Sequence, residues 1–213
     1  MGDYQPASRR PIAAFFRQTA TLAVRFCVRH NIHPDLISYL SIVAAAAAAT
    51  CFYFSAHYRP LLLIAPLLCF LRLWCNMLDG MVALASGKAS PRGEIVNELP
   101  DRISDLLIFI GIAHSHLANP FVAYWAAILA LMTAYIGTLG QAVTGHRRFE
   151  GLMSKQHRML LLAIGAWTAF FLKSTSPLGF SILDWALFLI VAGCVQTILV
   201  RLRKMLKELR GAP

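Results

Sequence analysis

Six apolar runs, at Leu36–Phe54, 60–86, 97–118, 120–144, 158–174 and 179–201, leave this chain few ways to fold. Short breaks such as Ala118-Asn119-Pro120 and Ser174-Thr175-Ser176-Pro177 separate them. About 20 residues rising 1.5 Å each cross a hydrocarbon core of about 30 Å, and a helix satisfies every backbone polar group on the way. The sequence therefore predicts an all-α integral membrane protein, a bundle of six transmembrane helices. Hydrophobic residues fill 58% of the 213 positions and charged ones 14%, which excludes an ordinary soluble domain.

Upstream of the bundle, arginines punctuate an apolar pattern (Ile12, Phe15, Phe16, Leu22, Phe26), as in an amphipathic helix lying in the membrane surface. The expected organisation is a disordered stretch at 1–8, a juxtamembrane amphipathic helix at 9–32, the membrane domain at 33–201, and a basic cytoplasmic tail at 202–213. The Arg201 to Arg210 run is expected either to lie on the membrane or to cap the last helix. No cleavable signal peptide is expected, because the first residues are polar and arginines continue to Arg29.

Lys and Arg collect in cytoplasmic loops, and here the sign is clear. Five arginines precede the first run, Lys88 and Arg92 lie between the second and third, and Arg147, Arg148, Lys155 and Arg158 lie at the break between the fourth and fifth. Arg201, Arg203, Lys204, Lys207 and Arg210 close the chain, whereas the opposite loops hold Arg59 and Lys173. Both termini should be cytoplasmic, in a bacterial inner membrane. The net charge of +10 then faces anionic membrane lipids, and nucleic acid is not expected as a partner. The five cysteines sit in apolar stretches without metal-ligand spacing and read as small hydrophobes. His114 and His116 read as an interfacial loop beside Asn119 and Pro120.

Half of the ten acidic residues, Asp79, Glu94, Glu98, Asp101 and Asp105, cluster at the cytoplasmic ends of the second and third runs. A buried carboxylate must be paired or hold a cation, because leaving it alone costs several kcal/mol, on the order of the ionic desolvation penalty. On the second run Arg72, Asn76, Asp79, Gly80 and Ala83 share one helical face, and on the third Gly93, Asn97, Asp101 and Asp105 recur every four residues. Gly80 and Ala83 would let a phosphate-bearing ligand approach the backbone.

These residues carry a resemblance. Asn76-x-x-Asp79-Gly80-x-x-Ala83-Leu84, eight residues, Gly93-x-x-x-Asn97-x-x-x-Asp101 resembles the CDP-alcohol phosphotransferase signature D-x-x-D-G-x-x-A-R, eight residues, G-x-x-x-D-x-x-x-D, with every spacing kept. His33-Pro34-Asp35 is similar to the family's opening of its first span. Asn76, Asn97 and Leu84 depart from the signature. In the family, four aspartates hold two divalent ions around the CDP diphosphate, and the last aspartate is the general base.

Carried over by position, the resemblance implies Asp101 as catalytic base and Asn76, Asp79, Asn97 and Asp101 as ligands of one or two Mg²⁺ or Mn²⁺ ions. Glu98 is an added candidate ligand. Arg72, Gly80, Ala83, Lys88, Arg92 and Gly93 would bind nucleotide and diphosphate, while Arg147, Lys155 and Arg158 would bind the phosphate of a phosphorylated acceptor. The implied reaction transfers a phosphatidyl group from CDP-diacylglycerol to an acceptor alcohol, with glycerol 3-phosphate expected first, and releases CMP. A homodimer is expected from the same resemblance. Two rival classes are a non-catalytic relative that binds CDP-lipid or a membrane partner, favoured by Leu84, and a small transporter. The transporter is disfavoured because the charges cluster at one membrane face and no inverted repeat is visible.

Overall fold

A computed structural model describes residues 12–172 and 179–211. The expected disorder at 1–8, Lys173 and the Ser174–Pro177 break lie outside the described residues. Within them the chain is entirely helical: α1 (Ile12–Arg29), α2 (Pro34–Phe54), α3 (Leu61–Ala85), α4 (Pro91–Ala113), α5 (Pro120–Thr144), α6 (Lys155–Phe171) and α7 (Ile182–Gly211).

The helix starts obey local rules. Pro34, Pro91 and Pro120 open α2, α4 and α5, where a missing backbone N–H costs nothing. The preceding His33, Ser90 and Asn119 cap them, Ser90 Oγ accepting from the Gly93 N–H at 3.1 Å and Asn119 Oδ1 from the Phe121 N–H at 2.9 Å. Gly145, at φ 74°, ends α5 in the left-handed conformation that suits glycine.

Four helices, α2, α3, α5 and α7, are long and apolar enough to cross a membrane. α4 carries too many charges for that description and α6 is only 17 residues long, so the six-run expectation is met in part. The helices close on one another: α2 packs on α3 and α4, α4 on α5, α5 on α7, α7 on α6, and α6 on α3, with α1 beside α3.

Small residues set the spacing. Ala44, Ala45 and Ala48 of α2 and Ala123, Ala126, Ala127 and Ala130 of α5 are buried. A Cβ at Gly111 would come within 2.4 Å of the Ala49 carbonyl oxygen, so α2 and α4 cross with their backbones nearly touching. Facing outward on α2, Leu36, Tyr39, Leu40 and Val43 lie at i, i+3, i+4 and i+7 and are exposed, a stripe suited to lipid. The cysteines are free thiols, four of them buried.

Polar contacts gather at both ends of the bundle. At one end Arg59 donates to the Ala169 and Phe170 carbonyls at the end of α6, and the Asn119 N–H donates to Asp184 at 2.5 Å. The other end holds the acidic cluster. There the basic run Arg201 to Arg210 continues α7 as one helix, and Arg201 is buried, donating to Thr133 and Glu150 carbonyls.

Candidate active site

Helical periodicity places Arg72, Asn76 and Asp79 one turn apart on α3, and Asn97, Asp101 and Asp105 one turn apart on α4. The close α2–α4 and α2–α3 packing turns these faces toward each other. Arg72 is 0% exposed and forms the hub: its Nη2 donates to Asp101 Oδ1 at 2.5 Å and to the Asp101 carbonyl at 2.8 Å. The same nitrogen lies 2.9 Å from Asp105 Oδ1, an ion contact without hydrogen-bond alignment. Asp105 Oδ2 accepts from Arg158 of α6 at 2.6 Å. Two guanidiniums thus hold Asp105, which neutralises charge inside the bundle.

Asp101 is more heavily surrounded. Besides Arg72, its Oδ2 lies 3.3 Å from Lys155 Nζ and 3.4 Å from Arg102 Nη1. Lys155, at the start of α6, also donates to Asn76 Oδ1 in a very short contact, which leaves buried Asn76 Nδ2 without a partner. Asp79 differs: it is 2% exposed, accepts from Ser38 Oγ at 2.5 Å and from the Gly80 N–H at 2.6 Å, and forms no ion pair among the described residues.

Glu98, a candidate metal ligand by sequence, has both carboxylate oxygens on Arg147 at 2.7 and 2.8 Å and also meets Arg102. It ties the α5–α6 loop to α4. Within that loop, burial pushes the Glu150 carboxyl up, but a hydrogen bond with its own backbone and the nearby Lys204 and Arg148 cations outweigh this and hold it below the ordinary value.

A cavity of about 430 Å³ opens from this cluster. Asn76, Asn97 and Asp101 line it together with Arg147, Arg148 and Arg201. Lys155 and Arg158 also reach it, so the three predicted acceptor-phosphate residues share the space with the predicted metal ligands Asn76, Asn97, Glu98 and Asp101, whereas the predicted diphosphate residues Arg72, Gly80, Ala83 and Gly93 lie outside its lining. A Cβ at Gly80 would meet nothing within 4 Å, which leaves an open approach to the α3 backbone. Lys88 on the α3–α4 loop and Arg92 in the first turn of α4 stand exposed, away from the cavity lining, and Leu84 is 43% exposed.

Sequence reasoning missed Ser38, Arg102 and Arg201. Arg102 adjoins Asp101 and pairs with Glu98 four residues back, a spacing legible in the sequence. Nothing in the sequence marks Ser38, which is 41 positions from Asp79.

Among the described residues no three His, Cys, Asp or Glu side chains converge as a metal site. The residue best suited to a divalent ion is Asp79, a buried carboxylate lacking a cation, and the oxygen donors Asn97 and Asp101 of α4 line the cavity. These residues fit one ion. Both carboxylate oxygens of Asp101 and the oxygen of Asn76 already meet Arg72, Arg102 and Lys155, which leaves little charge for a second ion.

No family model matches the chain. It is 30% identical to the inner membrane protein YnbA of Escherichia coli over 107 residues, spanning about half of each protein (50% and 52%). It is 31% identical to the archaetidylinositol phosphate synthase of Aeropyrum pernix over 162 residues, 75% of this chain and 79% of that one. With the phosphatidylinositol phosphate synthase of Mycobacterium tuberculosis it shares 30% identity over 193 residues, 86% of this chain and 85% of that one. Crystal structures of the Mycobacterium tuberculosis phosphatidylinositol phosphate synthase share the fold at 22% identity. The one with CDP-DAG bound has a TM-score of 0.73, covering 88% of this chain and 94% of that chain, and the one with manganese and citrate has 0.72, covering 87% and 88%. Relatives of this similarity and extent, together with the spaced signature at one end of a helical bundle, place the chain in the CDP-alcohol phosphatidyltransferase family of membrane proteins.

Proposed function

We propose that this protein transfers a phosphatidyl group from CDP-diacylglycerol to a phosphorylated alcohol and releases CMP. The observation that carries the reading is the cavity itself. It brings Asn76, Asn97 and Asp101 together with Arg147, Arg148, Lys155, Arg158 and Arg201, so a diphosphate and a second phosphate would meet cations in one space, in exchange for the contacts that Arg147 and Arg148 make with Glu98, Glu150 and Glu208.

In this reading the acceptor hydroxyl gives its proton to Asp101, and its oxygen forms a bond to the β-phosphorus as the bond to CMP breaks. Arg72 orients Asp101 from beneath, holding both its carboxylate and its backbone carbonyl. A divalent ion, Mg²⁺ or Mn²⁺, held by Asp79 with Asn97 and Asp101, would supply neutralisation of the diphosphate. Gly80 and Ala83 leave room for that diphosphate, and Gly93 keeps the start of α4 slim. Lys88 on the α3–α4 loop and Arg92 at the start of α4 would meet the cytidylate from the cytoplasmic side. Arg147 and Arg158 face the acceptor's phosphate.

Glycerol 3-phosphate was the acceptor expected from sequence. The relatives named for inositol phosphate lipids move first place to an inositol phosphate. Offering the purified protein CDP-diacylglycerol with each acceptor and identifying the lipid product by mass spectrometry tests this. A product containing inositol phosphate supports the choice, and a phosphatidylglycerol phosphate product restores the first expectation. A second reading, a relative that binds CDP-lipid without turnover, is favoured by Asn76, Asn97 and Leu84 at signature positions. CDP-lipid binding without CMP release would select it.

The same proposal includes six crossings with both termini cytoplasmic. Contacts at the two bundle ends support it: α4 and α6 begin at the end holding Asp101 and Lys155, and α6 finishes at the end holding Arg59. At 1.5 Å per residue they extend roughly 35 Å and 26 Å, enough to run between faces. Exposed Leu22 and Phe26 on α1, with Ala20 and Cys27 buried, suit a helix lying at the lipid surface. A homodimer belongs to the proposal through the family resemblance and is checked by light scattering in detergent.

A further inference from the structure

In and beside the cavity, three carboxylates (Glu98, Asp101, Asp105) pair with five cations (Arg72, Arg102, Arg147, Lys155, Arg158), and a fourth, Asp79, is held by Ser38 and the Gly80 N–H. Such a cluster has little charge to offer two divalent ions. Its cations are unevenly spread, because Asp101 touches three of them while Asp79 touches none.

Lys155 is placed in a telling way. Its ammonium bridges α3 to α4 by joining Asn76 Oδ1 to Asp101 Oδ2. Both oxygens point at a common location, as metal ligands do, and that location holds a fixed single charge. The contact also assigns the Asn76 amide: with its oxygen on an ammonium, its Nδ2 donor is buried, unpartnered and available to an anion. Asn76 is 8% exposed, so that donor has no ready access to solvent.

We infer that Lys155 serves as a built-in cation of the diphosphate site, bridging Asn76 and Asp101, and that the chain consequently takes one divalent ion, at Asp79. This deepens the proposed function and rests on its reading of the cavity as a diphosphate site. One phosphate then meets the divalent ion, and the other meets Lys155 with the Asn76 amide donor. Asparagine at position 76 follows physically, since a carboxylate there would bind the ammonium more tightly but would repel the incoming phosphate and offer it no N–H.

The test is a count of bound Mn²⁺ on the full-length protein in detergent, with no nucleotide, followed by the loss of the free-ion electron paramagnetic resonance signal. The wild type should bind one ion per chain. Lys155→Gln should tighten Mn²⁺ by about tenfold, because a neighbouring positive charge is gone, and Lys155→Gln with Asn76→Asp should bind two. Lys155→Arg should keep the wild-type count and affinity. Two ions or none on the wild type overturns the inference, as does a Lys155→Gln protein with unchanged Mn²⁺ affinity, which is what a residue serving only the acceptor would give. CMP release is measured separately. One bound Mn²⁺ without CMP release refutes the proposed transferase and leaves the assignment of Lys155 standing.

Discussion

Removing the guanidinium of Arg72 should destabilise the bundle more than any other change at this site. Arg72→Met fills much of the same volume but leaves Asp101 and Asp105, 3% and 1% exposed, short of a counter-ion. Breaking a buried ion pair from one side costs about 3–5 kcal/mol. Asp101 keeps Lys155 and Arg102, and Asp105 keeps Arg158, so the lower end applies, about 3 kcal/mol. At about 2–4 °C per kcal/mol for a chain of this size, the apparent melting temperature in detergent should fall by roughly 6–12 °C. Adding Asp105→Leu should then cost less than it does in the wild type, by about 1–3 kcal/mol of coupling. A drop under about 1 kcal/mol, or strictly additive losses, would refute the claim that Arg72 is the electrostatic hub.

Gly111→Val should lower the melting temperature by an amount worth about 1–3 kcal/mol, since the new side chain meets the Ala49 backbone. Gly80→Ala, which meets nothing within 4 Å, should leave melting unchanged or slightly raised while weakening CDP-lipid binding measured by calorimetry. Glu98→Gln should release the α5–α6 loop from α4 and speed tryptic cleavage after Arg147 and Arg148. Glu150 has a folded pKa held below the ordinary 4.5, so its contribution is present above that value and is lost as pH falls through the lower folded one. The melting difference between wild type and Glu150→Gln should accordingly shrink as pH falls from 7 to below 4.5, and a difference that grows would contradict the sign.

The helices and the polar seam were legible because each obeys a local rule. Proline followed by an apolar run set the starts of α2 and α5, whereas α4 begins at Pro91, six residues before the apolar run at 97, and four-residue spacing put Asn97, Asp101 and Asp105 on one face. Span counting was harder. α4 is 23 residues long but carries charges that meet partners on α3, on α6, on the α5–α6 loop and on α4 itself, and it falls short of the apolar character of α2, α3, α5 and α7.

Partner choice was not legible. Lys155 contacts Asn76, 79 positions away, because α6 packs on α3. Glu98 lies beside Asn97 in sequence, but about 100° per residue on a helix turns it to Arg147. Ser38 reached Asp79 through the α2–α3 packing, which no periodicity on α2 encodes.

The central claim is tested most directly by following CMP release from CDP-diacylglycerol in mixed micelles with Mg²⁺ or Mn²⁺ and an inositol phosphate acceptor, for wild type and Asp101→Asn. Release should require both the metal and the acceptor and fall by about 100-fold or more in Asp101→Asn, the scale of a lost general base. Absence of release, or release that Asp101→Asn leaves intact, would contradict it.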